Sequence, residues 1–524
     1  MKRQINGTIQ TMILCGICLL VVMGASASQI QNHIQTTAIS YHDDFDPLIN
    51  IEVTVTIKTI RSLEKYDQQV HSIKRIDLLS KPDLYVKVYI NNQEFTSPVW
   101  RNTRYIYTPD WSATLDVPDD TEWVNVRIEL WDRQLLFDKQ CDLSGLNTNE
   151  LLDSRGVNLT YSIKTGHWYG DDNNNPVHIN WWMLPDESGY GRLNGCDDRS
   201  FYQQDLDCEL WFDINQNDYD GDGIPYWAET MVTLTDPTVD NRGIDADGDG
   251  CPLEWEYKWG HYFIRQWHSN NFSHAWAFND SQYDAHRNLD PDQDGLSNYE
   301  EYLTSQWGSD PFRKDLFVEL DQMLGPDGVP LVFPEAAKEL IYTAFNRRNI
   351  IFHLDDGRWV GTGSDNLPYQ TETSYQQLNE LYQQYFLHFD QNNWRSGVFH
   401  YGILVYNCTI AGGNAFGSNR FQISAKFLEE KAALPLLRRD IVYASAYMHE
   451  TGHTLGLEPL GGHDENSKYP WQLGWWKWRP YKSCMNYGYM YRMVDYSDGS
   501  RGKNDFNDWS SDRMDLTAFQ QGTW

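Results

Sequence analysis

The sequence predicts a multidomain protein with an antiparallel β-sandwich at its N terminus, a middle region of repeated Asp-rich segments, and a C-terminal α/β or α+β domain. Three textures along the 524 residues support this prediction. Short alternating or β-branched runs dominate residues 45–185, Asp-Gly segments recur over 186–312, and strand-like and helix-like patterns alternate over 313–524. Hydrophobic residues make up 40% of the chain and aromatic residues 14%, which is sufficient for several packed cores.

The first 27 residues have the pattern of an export signal. Lys2 and Arg3 give a positive start, the segment 12–25 is a mainly apolar run, and small residues ending at Ala27 form a cleavage pattern. We therefore expect residues 1–27 to be a signal peptide that is cleaved near Ala27, and the mature protein to be secreted or held at the cell surface.

The mature chain is strongly acidic. Without Lys2 and Arg3 it has 40 basic residues against 74 acidic residues, a formal charge of −34. This charge argues against a nucleic-acid partner. Six cysteines remain after the signal, and their even number permits disulfides in an exported protein without fixing how they pair.

The N-terminal region contains four strand-like runs separated by polar turns, namely IEVTVTI, DLYVKVYI, VNVRIELW and VHINWWML. Acidic residues flank two of these runs, and the region resembles the calcium- and lipid-binding β-sandwich of protein kinase C and synaptotagmin. The resemblance implies a calcium site at one end of the sandwich and a possible association with membranes. The residues that carry it are Asp77, Asp83, Asp132, Asp138 and Asp142, while Gln134 stands where that family usually has aspartate.

The middle region repeats the spacing D-x-D-x-D-G-x5-E three times. In this pattern the aspartates at positions 1, 3 and 5, the carbonyl of position 7 and the glutamate at position 12 direct oxygens to one point, while Gly at position 6 permits the bend. Calcium suits such an oxygen cage. The predicted ligands are Asp218, Asp220, Asp222, Ile224 and Glu229; Asp245, Asp247, Asp249, Cys251 and Glu256; and Asp290, Asp292, Asp294, Leu296 and Glu301. The segments resemble thrombospondin type 3 and related bacterial and archaeal calcium repeats, which implies about three structural calcium ions.

The C-terminal domain contains the sequence HETGH, which starts at His449. Apolar residues at helical spacing precede it, so His449 and His453 should project from one face of a helix toward one metal ion, with Glu450 beside them as a catalytic base. Gly456 should end this helix with a positive φ.

Downstream of the helix, SCMNYGYM provides a second element. Together, HETGHTLGL and this Met-containing turn resemble the metzincin zinc endopeptidases, most closely the pappalysin and archaeal branches. The resemblance implies a catalytic zinc ion, a hydrophobic floor formed by Met485, and an oxyanion-stabilising role for Tyr487. Ordinary core packing remains the alternative interpretation of both residues.

The third zinc ligand is not at its usual place, because Pro459 stands six residues after the second histidine. Gly461 and Gly462 precede His463 and Asp464, so an inserted loop could bring either side chain to the metal. We favour His463, with Asp464 as the close alternative.

The sequence therefore predicts a secreted, calcium-stabilised zinc metalloendopeptidase that acts on a protein or peptide substrate through zinc-activated water and a glutamate base. The alternative is a catalytically inactive, calcium-dependent surface or adhesion protein with a protease-like domain. A third interpretation, a calcium-dependent membrane-binding module joined to a hydrolase, rests on the N-terminal resemblance alone.

Overall fold

The computed structural model describes most of the two predicted terminal domains and the repeats between them. The described residues are 51–63, 81–118, 121–144, 155–163, 166, 168–170, 191–195, 206–245, 247–260, 286–290, 292–311, 313–348, 350–357, 364–458 and 460–516. The predicted signal peptide, the run VHINWWML, and the residues Asp77, Cys196 and Pro459 lie outside these segments.

The N-terminal domain is built from eleven short strands among the described residues. Alternation drives their formation: in β1 the side chains of Val53, Val55 and Ile57 are buried, while the threonines between them are partly exposed. The strands are β1 Ile51–Ser62, β2 Leu84–Ile90, β3 Gln93–Thr96, β4 Tyr105–Ile106, β5 Trp111–Val117, β6 Trp123–Asp132, β7 Lys139–Cys141, β8 Val157–Ser162, β9 Trp168–Gly170, β10 Gly191–Asn194 and β11 Cys208–Gln216.

These strands form two antiparallel sheets. One sheet has the order β10-β11-β1-β4 with β5 also paired to β1, and the other has the order β3-β2-β6-β8-β9 with β7 paired to β6. A single hydrophobic core contains buried residues of both sheets, including Val55 and Phe212 from the first and Val88 and Ile128 from the second. The predicted antiparallel β-sandwich is therefore confirmed.

The sandwich extends beyond its predicted end at residue 185. Strand β11 pairs with almost the whole of β1, from Val53 opposite Gln216 to Ser62 opposite Cys208. A change in local sequence pattern does not report this pairing, because it joins strands that are far apart in sequence. The Asp-rich repeats begin directly after β11.

The C-terminal domain contains a mostly parallel sheet. Its strands are β12 Lys314–Met323, β13 Ile350–Asp355, β14 Asn366–Leu367, β15 Phe399–Val405, β16 Gly413–Ala415 and β17 Arg420–Ser424. The order is β13-β12-β15-β17-β16, with β14 beside the end of β12, and β16 runs antiparallel to β17. The α/β content predicted for this region is confirmed.

The helices are short except for two that pack on this sheet. They are α1 Tyr226–Ala228, α2 Leu253–Gly260, α3 Asn298–Thr304, α4 Glu335–Asn346, α5 Tyr375–Leu381, α6 Ala425–Ala432, α7 Arg439–Thr454 and α8 Leu473–Trp478. Helices α4 and α7 share a core with one face of the sheet, in which Phe345 and Tyr447 are fully buried. Within the described segments, no helix has both the length and the apolar character needed to cross a bilayer.

A buried polar network joins the two terminal domains. The side chains of Arg192 and Glu209 form an ion pair in which both are fully buried. The Nδ2 of Asn346, the last residue of α4, donates to Glu209 at 2.7 Å, and its carbonyl accepts from Asn194 at 2.8 Å. Because these buried hydrogen bonds cross the junction, the network fixes how the sandwich meets the C-terminal domain.

Candidate metal centre

Helix α7 carries the first two histidines of the candidate site. The sequence predicted one apolar face, but almost every residue from Ile441 to Gly452 is buried, so the helix is internal. The sheet covers one side, and the segment containing Tyr481, Met485 and Tyr496 belongs to the same core on the other. His449 is 2% exposed and Glu450 is 3% exposed, which holds both side chains in a region of low dielectric.

Helix α7 ends where the sequence predicted. Gly456 has a φ of +77°, the amide of Leu457 donates to Gly452 O at 2.9 Å, and the amide of Gly456 donates to His453 O at 3.2 Å. These two bonds form a Schellman motif, which needs glycine at the left-handed position. The chain therefore turns away from the helix directly after the second histidine.

Three imidazoles converge beyond this turn. The Nε2 atom of His449 lies 3.2 Å from Nε2 of His453 and 3.2 Å from Nε2 of His463, and all three ligand atoms lie within 4.8 Å of one another. Burial lowers the pKa of each ring, to about 4 for His453, and the neighbouring histidines lower it further for His449 and His453. The three rings are therefore neutral, which is the form that binds a metal ion.

The orientation of His449 shows that this cluster fits a cation. Its Nδ1 lies 2.8 Å from the carbonyl oxygen of Cys484, so Nδ1 carries the hydrogen and Nε2 presents a lone pair to the other two rings. Three nitrogens that face one another in this way match the three protein ligands of a catalytic zinc site.

Asp464 is not part of this cluster. Its Oδ1 accepts hydrogen bonds from the amide of Asn466 at 2.7 Å and from the hydroxyl of Ser467 at 3.1 Å, which close a local turn. Of the two alternatives for the third ligand, the structure brings His463 to the other histidines and directs Asp464 to its own backbone. Glu458, which precedes this loop, is exposed and outside the group.

The loop that carries His463 packs tightly on the Met-containing turn. A Cβ on Gly462 would lie 2.5 Å from Asn486 Oδ1, and a Cβ on Gly461 would lie 2.5 Å from the Trp478 ring. The amide of Tyr487 also donates to Gly462 O at 2.9 Å. The two glycines are thus required for close approach as well as for flexibility, which the sequence alone did not indicate.

Met485 packs against Gly452, the glycine of the HETGH segment. It is 1% exposed, and its Sδ would lie 2.7 Å from a Cβ placed on Gly452. The glycine inside HETGH is therefore a packing requirement that sequence reasoning did not identify. The only sequence signal for it was a glycine in the middle of a helix.

Glu450 faces the edge strand β16. A Cβ on Gly413 would lie 2.5 Å from Glu450 Oε1, the backbone of Ala415 hydrogen-bonds the carboxyl group, and Oε2 has no partner among the described residues. Burial raises the pKa of Glu450 to about 8. The glutamate therefore leaves one oxygen for a further proton donor.

Tyr487 lines the same site. Its ring centroid lies 4.1 Å from that of His463 and 5.9 Å from that of His449. Burial, followed by the charge of Glu450, raises the pKa of its hydroxyl group, so Tyr487 is a neutral hydrogen-bond donor. Its role toward an oxyanion stays a prediction.

The three Asp-rich repeats form loops of the same design. In each, the first aspartate accepts a hydrogen bond from the amide of the position 6 glycine, at 2.7, 2.9 and 2.9 Å. These glycines have φ values of +97°, +103° and +96°, as predicted. In each loop the three aspartates bring oxygens within 4.8 Å of one another.

The remaining predicted ligands of these loops lie inside the protein. The position 7 residues Ile224, Cys251 and Leu296 and the glutamates Glu229, Glu256 and Glu301 are all at most 3% exposed. Burial raises the pKa of Glu229 to about 8, and one of its oxygens has no partner among the described residues. Such buried, unsatisfied carboxylates fit a hard divalent cation.

The acidic loops of the sandwich are closed by hydrogen bonds instead. Asp132 accepts from the amide of Asp83 at 2.9 Å and from the side chain of Gln134, while Asp138 accepts from the Tyr85 hydroxyl at 2.8 Å. Within the described residues, these aspartates do not form a metal-binding group. Gln134 thus occupies the carboxylate that a cation would need.

Cys141, Cys251, Cys408 and Cys484 are free thiols in the described structure, and all except Cys408 are buried.

Comparison with known proteins identifies the N-terminal domain. No curated protein matches the chain. Among solved structures, one C2 domain shares 13% identity over 32% of this chain and 98% of its own, with a TM-score of 0.18. The first C2 domain of plant Extended Synaptotagmin 1 shares 11% over 33% of this chain and 98% of its own, also with a TM-score of 0.18. Human GIVD cytosolic phospholipase A2 shares 12% over 32% of this chain but 17% of its own, again at 0.18. Residues 51–159 match the family model of the C2 domain, so the N-terminal β-sandwich is C2-like.

Proposed function

We propose that the C-terminal domain is a metzincin-type zinc endopeptidase in a secreted, calcium-stabilised protein. The observation that carries this proposal is the convergence of three neutral imidazoles, His449, His453 and His463, beside the buried Glu450, one oxygen of which has no partner in the described part of the chain. Three histidine ligands and an adjacent carboxylate are the parts that metal-assisted peptide hydrolysis requires.

The chemistry follows from the positions of these groups. A zinc ion held by the three histidines would supply a Lewis acid that polarises the peptide carbonyl and lowers the pKa of water. Glu450 would take one proton from the attacking water as the oxygen bonds to the carbonyl carbon, and would give it to the amine as the carbon–nitrogen bond breaks. Tyr487 would donate a hydrogen bond to the oxygen that becomes negative.

Strand β16 would align the substrate. It pairs with β17 on one side, and Gly413 and Ala415 lie directly against Glu450. An extended peptide that adds to the other side of β16 would place its carbonyl groups beside the glutamate. Among the described strands this edge of β16 is unpaired, which favours a polypeptide substrate over a small molecule.

Peptide cleavage by zinc-loaded and metal-free protein tests this proposal. Glu450→Gln should retain zinc and lose cleavage, because glutamine keeps the volume but cannot accept the proton. Glu458→Gln is the matched control: the same substitution on an exposed residue outside the cluster should leave both zinc content and cleavage unchanged. Wild-type turnover by Glu450→Gln would reject the mechanism.

The same assay addresses the alternative function. A calcium-dependent surface or adhesion protein with a protease-like domain would bind zinc yet cleave no peptide, with or without Glu450. The intact base and its unpartnered oxygen favour the enzyme. The export signal at residues 1–27 is part of the proposal, and N-terminal sequencing of protein from the culture medium would test cleavage near Ala27.

A second proposed function is attachment to membranes through the C2-like domain. The loop between β6 and β7 presents three consecutive apolar side chains, with Leu135 100%, Leu136 82% and Phe137 85% exposed. Insertion of these apolar side chains into the interfacial region of a bilayer lowers the free energy, because it removes them from water. The mature charge of the chain opposes anionic lipids, so neutral vesicles are the preferred surface.

Co-sedimentation with phosphatidylcholine vesicles tests this function. Replacing Leu135, Leu136 and Phe137 with serine should abolish binding. Leu436→Ser, which changes a single side chain that is 97% exposed in the C-terminal domain, should not change binding. Unchanged binding by the triple variant would exclude this loop.

A further inference from the structure

Asp315 connects the third Asp-rich loop to the C-terminal domain. It is the second residue of β12 and is 4% exposed. Its amide donates to Asp294 Oδ2 at 2.7 Å, and its own Oδ2 accepts from the amide of Asp310 at 2.8 Å. Asp315 therefore lies directly beside the predicted ligands of the third loop, although the repeat pattern does not include it.

Three carboxylates from this junction meet in the interior. Asp294, Glu301 and Asp315 bring oxygens within 4.8 Å of one another, and none of the three residues is more than 4% exposed. By distance and angle, both carboxylate oxygens of Glu301 lack a hydrogen-bond partner among the described residues, and the nearby Ser309 hydroxyl donates to the Glu301 backbone carbonyl at 2.7 Å. A buried carboxyl group without a donor must either take up a proton or bind a cation.

The basic residues nearest the group are engaged elsewhere. Arg313 is paired with Asp310 at 3.5 Å, and Nζ of Lys314 donates to the carbonyl of Gln293 at 2.6 Å. His353 Nε2 lies 2.6 Å from Asp315 Oδ1. These bonds of Arg313 and Lys314 go to other partners, so the group is neutralised either by protons or by an ion from solution.

The first loop provides an internal comparison. There the carboxylate at position 5, Asp222, accepts from the amide of Asn241 at 3.2 Å, in the same way that Asp294 accepts from the amide of Asp315. The residue whose backbone amide binds the position 5 aspartate is therefore Asn241 in the first loop, with an amide side chain, and Asp315 in the third, with a carboxylate. Among the described residues, only the third loop forms a second acidic group with the segment that follows it.

We propose that Asp315 is a ligand, together with Asp294 and Glu301, of a calcium ion that binds the third repeat to the first strand of the C-terminal domain. Three carboxylates and no nitrogen or sulfur ligand suit a hard cation of this kind. Because β12 pairs with both β13 and β15, the ion would stabilise the centre of the sheet that supports α7. This site is independent of the proposed peptidase activity.

Calcium titration of chelator-treated, full-length Asp315→Asn tests the proposal. At one class of sites, the calcium affinity of the variant should fall by at least ~10-fold, which is the loss caused by removing an outer-sphere partner of a metal. Its melting temperature should be below that of the wild type in calcium but equal to it or higher in EGTA. In EGTA the wild type must bury an unneutralised carboxylate that asparagine replaces with a neutral group.

Asp310→Asn is the matched control, since Asp310 is a buried acid at the same junction that is paired with Arg313 and lies outside the group. It should bind calcium as the wild type does and lose the same stability in calcium and in EGTA. If Asp315→Asn behaves like this control, Asp315 is only a hydrogen-bonding residue and the proposal is overturned. Asp315→Ser, which keeps an acceptor for the Asp310 amide, gives the same comparison if the asparagine variant does not fold.

Discussion

Gly462 offers a direct test of how the third histidine is held. Its φ of +77° lies in the left-handed region, where alanine costs about 1–2 kcal/mol relative to glycine. A Cβ would also lie 2.5 Å from Asn486 Oδ1. We therefore expect Gly462→Ala to disturb the loop immediately before His463.

The clash between the new Cβ and Asn486 should displace the loop backbone rather than the Asn486 side chain. The Nδ2 of Asn486 donates to the carbonyls of Tyr481 at 2.8 Å and Trp478 at 3.0 Å, and its Oδ1 accepts from the amide of Gly488 at 3.0 Å. A side chain with three such bonds cannot move aside without breaking them. If the backbone cost alone is expressed at the metal site, zinc affinity falls by roughly 5–30-fold, since 1.4 kcal/mol corresponds to tenfold.

Competition with a chromogenic chelator measures this loss. Gly502→Ala is the control, because Gly502 also has a positive φ, +87°, but a Cβ there would meet nothing within 4 Å. It should lower the melting temperature and leave zinc affinity unchanged. Equal zinc affinity in the two variants and the wild type would refute the view that the close contact with Asn486 positions His463.

Three other predictions concern the metals and the base. His463→Ala should lose far more zinc affinity than Asp464→Ala, because only His463 faces the other imidazoles; a chelator titration that reverses this order would make Asp464 the ligand. Gly413→Ala should lower kcat while zinc content stays constant, since its Cβ would displace Glu450, and an unchanged kcat would remove β16 from the site. A triple variant with alanine at Asp220, Asp247 and Asp292 should have a lower melting temperature than the wild type in calcium but nearly the same melting temperature in EGTA. Equal shifts under both conditions would contradict calcium binding.

The sequence was informative wherever the determinant is local. The turn at Gly456, the positive φ of the loop glycines and the helix that carries His449 and His453 each depend on spacing within a few residues, and the structure has them as expected. Helix α4 follows for the same reason, because its buried residues recur at helical spacing.

Features that depend on distant partners were not readable. The choice between His463 and Asp464 depends on Asn486 and Trp478, which receive the two glycines of the loop. Asp315 joins the third loop from a strand that has its own, unrelated pattern, so its spacing from Glu301 carries no signal. Burial of both faces of α7 likewise follows from the segment that returns over it, and no helical periodicity predicts that.

The pairing of β1 with β11 has a consequence for the order in which the protein can fold. The amide of Glu52 reaches Asn217 across 165 residues of chain, so β1 emerges from the ribosome long before its neighbour. Until β11 arrives, β1 has β4 and β5 on one side and an unsatisfied row of backbone groups on the other. An exposed strand edge of this kind pairs readily with other chains. A nascent chain that stalls before residue 208 should therefore aggregate. Synthesis of β11 covers the exposed edge of β1 and removes this site of aggregation.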